Sequence, residues 1–128
     1  MIVLLDTATL LCKLTLVDGD TRFESQWQAD RQLAKGLLSY LRDQLAQHGK
    51  TFHDISGIGV MQGPGSFTGL RIGLTVLNTI ACTNSIPLVG EMGEDWHTKA
   101  LGRLQNNEND KIVLPFYDRG ATITTPRK

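Results

Sequence analysis

The apolar positions of this chain change period part-way along it. Ile2 to Leu5 is an unbroken apolar run closed by Asp6-Thr7, the pattern of a short strand buried on both faces. Leu10 to Val17 alternates instead, with Leu10, Cys12, Leu14 and Leu16 on one side and Leu11, Lys13, Thr15 and Val17 on the other. Asp18-Gly19-Asp20 predicts a tight hairpin, because Asp-Gly tolerates positive φ. Thr21 to Trp27 returns as a third strand, polar enough to lie towards a sheet edge. Three strands joined by short turns make an antiparallel meander.

From residue 30 the period becomes helical. Leu33, Leu37, Leu38, Leu41 and Leu45 mark a helix from Asp30, its expected cap, to about Gln47, with Gly49 at its close. Ile55 to Met61 reads as a fourth strand, whose Gly57 and Gly59 leave space for a close neighbour. A second helix spans about Phe67 to Asn84, and Ser85 to Gly90 is a short fifth strand with Pro87 where no backbone donor is needed. Glu91 to Leu104 predicts a third helix, with Glu91, Glu94 and Asp95 favourable near its start. Asn106 to Asp110 is a polar linker, Ile112 to Tyr117 an extended apolar piece, and Thr122 to Lys128 a basic tail. This order predicts an α/β fold with a five-stranded mixed sheet and flanking helices. It is the plan of a ribonuclease H-like lobe, the unit used twice in the actin-like ATPase superfamily. Residues 1–105 would form the lobe and 106–128 a linker and tail.

Composition narrows the classes. At 128 residues the chain fits one domain with a modest core, and 41% apolar with 20% charged residues excludes disorder as the default. Thirteen basic and thirteen acidic side chains cancel, which argues against a module that binds nucleic acid through a basic surface. Cys12 and Cys82 lie in apolar segments and read as buried free thiols, without metal-ligand spacing. With no signal peptide at Met1–Leu5 and no run long enough for a membrane span, a cytoplasmic location is expected.

Candidate chemistry centres on Gly63-Pro64-Gly65-Ser66-Phe67-Thr68-Gly69-Leu70-Arg71-Ile72-Gly73, at a strand-to-helix junction. Amides at a helix N-terminus make an anion site, and Ser66 or Thr68 can serve as the N-cap. The spacing fits neither a P-loop, which needs Lys-Ser/Thr after its second glycine, nor a dinucleotide fingerprint. Gly69 and Gly73 stack on one helix face and make a flat groove, continued by Val76 or Leu77 and by Ile80. Leu70, Leu74, Leu77 and Ala81 form a second apolar face, leaving Thr68, Arg71, Thr75, Asn78 and Thr79 as the polar remainder. A helix this apolar is buried on more than one side, which favours a partner over pure core. Asp6 ends the first strand, where related folds place a metal-linked carboxylate. No second carboxylate matches it, so it reads as a turn residue. His48, His53 and His97 show no ligand spacing, and neither a nucleophile–base pair nor a metal set is identified.

Leu4-Leu5-Asp6-Thr7-Ala8-Thr9, the ungapped stretch Gly63–Gly73, and Ile86-Pro87-Leu88-Val89-Gly90 together resemble the TsaB (YeaZ) family over about residues 1 to 90. The resemblance implies a part in making threonylcarbamoyladenosine beside the anticodon of certain tRNAs. It implies a non-catalytic subunit: the related TsaD holds the metal and transfers the threonylcarbamoyl group, the ATPase TsaE joins the assembly, and tRNA is met indirectly. ATP or ADP and metal are then expected on partner subunits, with no cofactor on this chain alone. TsaB and TsaD associate through lobe helices. That places Leu33, Leu37, Tyr40, Leu41, Gly69, Gly73, Val76, Leu77 and Ile80 at a helix–helix interface, used for a homodimer when TsaD is absent. Asp6, Thr7, Gly63, Gly65, Ser66, Thr68 and Arg71 form the motif turn, a candidate nucleotide contact.

Ala8 stands where the family usually has serine, and Arg31-Gln32-Leu33-Ala34 lacks the family's histidine. The histidine pair that marks TsaD is missing too. Leu114 to Arg119 and Ile123-Thr124 resemble the family's C-terminal tail, while the chain is too short for a second lobe. An internal deletion that kept the first lobe and the tail is therefore expected. On this reading Gly73→Leu breaks association with TsaD and leaves the monomer folded. The competing reading is a small nucleotide- or metal-binding phosphotransferase or hydrolase using Asp6 and the Gly63–Gly73 turn.

Overall fold

The structure, a computed structural model, describes residues 1–116. Strands β1 (Ile2–Asp6), β2 (Leu11–Asp18) and β3 (Thr21–Gln28) form the expected antiparallel meander. Gly19 turns the β2–β3 hairpin at φ +62°. The chain then runs through helix α1 (Leu33–Ala46) into β4 (Gly57–Met61), which pairs parallel with β1. Helix α2 (Phe67–Asn84) carries it to β5 (Leu88–Glu91), parallel to β4. Strand order is β3-β2-β1-β4-β5, and α3 (Trp96–Gln105) follows. The α/β class and the five-stranded mixed sheet are those read from the sequence.

Helices cover the sheet from both sides. Val3, Leu5, Cys12, Leu14 and Leu16 pack against Leu33, Leu37, Leu41 and Leu45 of α1 and Leu74, Leu77, Ile80 and Ala81 of α2. On the opposite face Leu4, Val17 and Val89 pack with Trp96 and Ala100 of α3. β1 is therefore buried on both faces, as its unbroken apolar run predicts. Gly57 and Gly59 let α3 sit down on β4: an added Cβ would stand 3.2 Å from Leu104 Cδ2 and 2.9 Å from Ala100 Cβ respectively. β3 is an edge strand. Its Phe23, Ser25 and Trp27 turn towards α1, where Phe23 stacks on His48 and Ser25 Oγ meets Tyr40 Oη at 2.6 Å. Its Arg22, Glu24, Gln26 and Gln28 are exposed.

Element bounds shift where turns compete. Asp30 does not cap α1. It sits at φ +49° in a 3-10 turn (Asp30–Gln32), because Leu10's carbonyl draws in the amides of both Ala29 and Asp30 as the chain leaves the sheet. β4 starts at Gly57, since Thr51 and Asp54 cap a 3-10 turn over Phe52–Asp54. β5 starts at Leu88 because α2 runs on to a left-handed Ser85. Glu91 belongs to β5, so α3 begins at Trp96. Cys12 is buried, but Cys82 is exposed on α2. Among the described residues no helix is long and apolar enough to cross a membrane.

Candidate docking interface and the glycine turn

The glycine turn is tied to the end of β1. Ser66 caps α2: its Oγ accepts from the Gly69 amide at 3.2 Å, and its carbonyl from the Leu70 amide at 2.9 Å. Its own amide donates to the Ala8 carbonyl at 2.6 Å. Gly65 lies against Ala8, whose Cβ would be 2.6 Å from an added Cβ. Asp6 Oδ1 accepts the Ala8 amide at 2.8 Å, the local turn role expected of an aspartate at a strand end. Three amides of the would-be anion cradle and an oxygen of the would-be catalytic carboxylate are thus engaged within the chain. Gly63 has φ +128°, and the Phe116 carbonyl occupies the space a side chain there would need.

The Gly69–Gly73 groove is filled from inside. A Cβ at Gly69 would collide with the Thr7 carbonyl, and one at Gly73 with Thr7 Oγ1. Thr7 is 1% exposed, and among the described residues its hydroxyl has no hydrogen-bond partner. The stripe of small residues brings α2 onto the end of β1 and offers nothing outward. The interface residues expected from the sequence divide accordingly. Leu33, Leu37, Leu41 and Leu77 are 0–2% exposed and Ile80 is 7% exposed, all in the core between helices and sheet. Gly69 and Gly73 are buried too, so these seven residues are packed inside the lobe rather than on its surface. Tyr40 and Val76 are half-buried. A side chain at Gly73 would have to displace buried Thr7, so Gly73→Leu is expected to disturb the fold as well as any interface, against the expectation of an intact monomer.

The helix pair nevertheless presents an outer face. Ala34 of α1 and Thr68, Arg71, Ile72, Thr75 and Val76 of α2 line an open groove of about 360 Å³. Leu38 (53% exposed) and Phe67 (55% exposed) are the large apolar groups that α1 and α2 turn to solvent. Arg71 stands 5.0 Å from the centre of the Phe67 ring. Phe67, Ile72 and Ala34 were not on the expected list. Ile72 sits across α2 from Leu70 and Leu74, whereas Ala34 and Phe67 flank the core stripes, seven residues from Leu41 and Leu74, so the pattern alone did not mark them as outward.

The remaining polar candidates do not assemble. His48 stacks on Phe23, His53 lies in the 3-10 turn before β4, and His97 sits beside Trp96 at the start of α3. Burial, then the nearby Arg22 charge, hold His97 below the ordinary imidazole value. Among the described residues no group of three His, Cys, Asp or Glu is placed to hold a metal ion.

The TsaD family, tRNA N6-adenosine threonylcarbamoyltransferase, matches residues 27–118. The tRNA threonylcarbamoyladenosine biosynthesis protein TsaB of Escherichia coli is 32% identical over 122 residues, covering 95% of this chain and 52% of that protein. TsaB of Bacillus subtilis is 51% identical over 75 residues, 56% of this chain and 30% of that protein. A Pseudomonas aeruginosa crystal structure, described as an uncharacterized protein with similarity to peptidase YeaZ, superposes with a TM-score of 0.67 at 28% identity. It covers 71% of this chain and 42% of that chain. The chain belongs to the TsaB (YeaZ) family. Its sheet and helices are the ribonuclease H-like lobe of the actin-like superfamily, and it spans about half the length of E. coli TsaB.

Beside this family lobe lies a contact set that the sequence pattern did not disclose. The stretch expected to be a linker binds along β5: Asn109 Oδ1 accepts from the Leu88 amide at 3.1 Å and Asp110 Oδ2 from the Gly90 amide at 3.0 Å. Asn78 of α2 pairs with both backbone groups of Val113, at 2.8 and 2.9 Å. Gln62 bonds Leu114 through its side chain at 2.9 Å and Phe116 through its carbonyl at 2.8 Å. Arg103 joins both oxygens of Asp110, Glu108, Glu91 and the Gly90 carbonyl, and the hydrogen bonds to Asp110 first, then Glu108, hold its guanidinium above the ordinary value. Residues 109–116 are thus a strap from β5 to the glycine turn. Asn78, the lone amide between apolar turns of α2, was its sequence signal. Residues 117–128 of the expected family-like tail lie outside the described residues.

Proposed function

We propose that this chain is a non-catalytic subunit that binds a TsaD-type transferase through the outer face of α1 and α2. In that role it supports threonylcarbamoyl transfer to adenosine beside the tRNA anticodon. The observation that carries the reading is the face itself: Leu38, Phe67, Ile72 and Val76 lie exposed or half-exposed on a helix pair whose other side is core. Apolar surface rimmed by polar groups marks interaction sites on soluble domains. The engaged Asp6 carboxylate and Ser66, Gly69 and Leu70 amides favour this over phosphoryl transfer by the same residues. ATP or ADP and metal belong, on this reading, to TsaD and to TsaE. Val76→Asp tests it by placing a charge in the groove. The variant should stay folded in a thermal melt, at some cost because Val76 also packs against the core, lose co-purification with TsaD, and fail to sustain threonylcarbamoyladenosine levels measured by nucleoside mass spectrometry. Retained complex formation would refute the docking face, and ATP or magnesium binding by the isolated chain would favour the enzyme reading.

A further inference from the structure

We propose that the cleft at the carboxyl ends of β1, β4 and β5 takes a guanidinium, and that its occupant is Arg119 of this same chain. The inference goes beyond the docking reading and does not depend on it. The three strands run parallel, and Asp6 at the end of β1, Met61 at the end of β4 and Glu94 in the turn before α3 converge on an open cleft of about 450 Å³. Ligands of open α/β sheets sit beyond strand ends of this kind. Met61, Pro64 and Trp96 make its walls apolar, and its charges, Asp6 and Glu94, are both negative. Among the described residues neither carboxylate forms a salt bridge. Asp6 gives Oδ1 to the Ala8 amide, which leaves Oδ2, and Lys13 stands opposite it in the β1–β2 register without closing a bridge. Lys99 is taken up by Glu91 and Asp95.

The charge selects the class of occupant. A phosphate would face two carboxylates, and the Ser66, Gly69 and Leu70 amides that could have offset them are engaged within the chain. A guanidinium can meet a carboxylate through two parallel hydrogen bonds while its plane lies on an apolar or aromatic wall. This chain carries one next to the cleft. The Phe116 amide donates to the Gln62 carbonyl at 2.8 Å, and the Phe116 carbonyl lies against Gly63, which lines the cleft. The next residues are Tyr117-Asp118-Arg119-Gly120. Three residues reach at most about 10 Å, so Arg119 can come over the cleft directly from Phe116. In an extended segment Tyr117 and Arg119 point to one side and Asp118 to the other, which would set an aromatic ring on the apolar wall and a guanidinium on the carboxylates. Arg127 and Lys128 would have to close longer loops. Tethering also holds Arg119 at an effective concentration on the order of millimolar, ahead of the same residue of a second copy.

Ion pairs at a solvent-open cleft contribute little to stability, so the seat is read locally. Amide NMR and hydrogen exchange of the parent chain, Arg119→Glu, Glu94→Lys and the charge-swapped double variant, at low and raised salt, test the inference, with thermal melts confirming folding. In the parent the amides of Tyr117 to Gly120 should exchange about tenfold or more slower than the intrinsic rate, and raised salt should lessen that protection. Arg119→Glu and Glu94→Lys should each remove the protection and shift the Gly63, Gly93 and Trp96 signals. The double variant should recover the parent's pattern, because the two charges act on one another. Unprotected amides over Tyr117 to Gly120 in the parent, or Gly93 and Trp96 signals that ignore Arg119→Glu, would overturn the proposal. So would a response to Arg127→Glu in place of Arg119→Glu. Cleft signals that move with protein concentration would make a second copy the occupant and overturn it as well.

Discussion

A single absent methyl at Gly73 sets how closely α2 approaches the end of β1. Any β-carbon there meets the Thr7 side chain, which at 1% exposure has nowhere to go. Gly73→Ala should therefore destabilise the fold by about 1–3 kcal/mol through overpacking, read from urea midpoints. Combining it with Thr7→Ala should recover part of the loss, because the two residues share one space. Unchanged stability of the single variant would disprove the close approach. The glycine pair was visible in the sequence, but what fills its groove was not. A stripe of small residues is equally complementary to a partner helix and to a threonine of its own chain. Only the strand order, which brings Thr7 beneath α2, decides between them.

Elements were more legible than residues. α2 was read with both its ends, because Ser66 caps it and a long apolar period runs through it. α1 was read three residues early, because Asp30 looks like a cap while the carbonyl of Leu10 holds it in another conformation. The strap was missed for a different reason. Asn106 to Asp110 has the composition of a linker, yet Asn109 and Asp110 satisfy the outer edge of β5. Burial alone would raise the Asp110 carboxyl, but hydrogen bonds from Arg103 and the Gly90 amide outweigh it and hold it below the usual range. A depressed folded value contributes stability above the unfolded value of about 4, and that contribution is lost as pH falls through the folded value. Hydrogen exchange at the Gly90 amide should quicken relative to the intrinsic rate as pH falls through the lowered folded value of Asp110. Asp110→Asn should remove that pH dependence, and a parent profile that already quickens above the ordinary carboxylate range would contradict the sign.

For the whole molecule, the period change from strand to helix was enough to anticipate the sheet, its mixed character and its two covered faces. Which helix face looks outward was not, since α1 and α2 are apolar on more than the core-facing side. The two cysteines give a global check. Burial, reinforced by the Asp6 charge, pushes the Cys12 thiol up to about 12, whereas Cys82 is exposed. At pH 8 a thiol reagent should modify one site in the native chain and the second only on unfolding. Equal rates at both sites would contradict the core. The same raised value leaves Cys12's contribution intact below the unfolded thiol range and removes it as pH climbs towards 12.

The exposed row on β3 has a colloidal consequence. An eight-residue edge strand is a template for chain-to-chain pairing, but Arg22, Glu24, Gln26 and Gln28 stud this one with charge and amide groups. Such an edge resists stacking into fibres. Reversible self-association of this chain would therefore report on the helix pair, leaving the behaviour of the lobe at high concentration as a clean readout of its docking face.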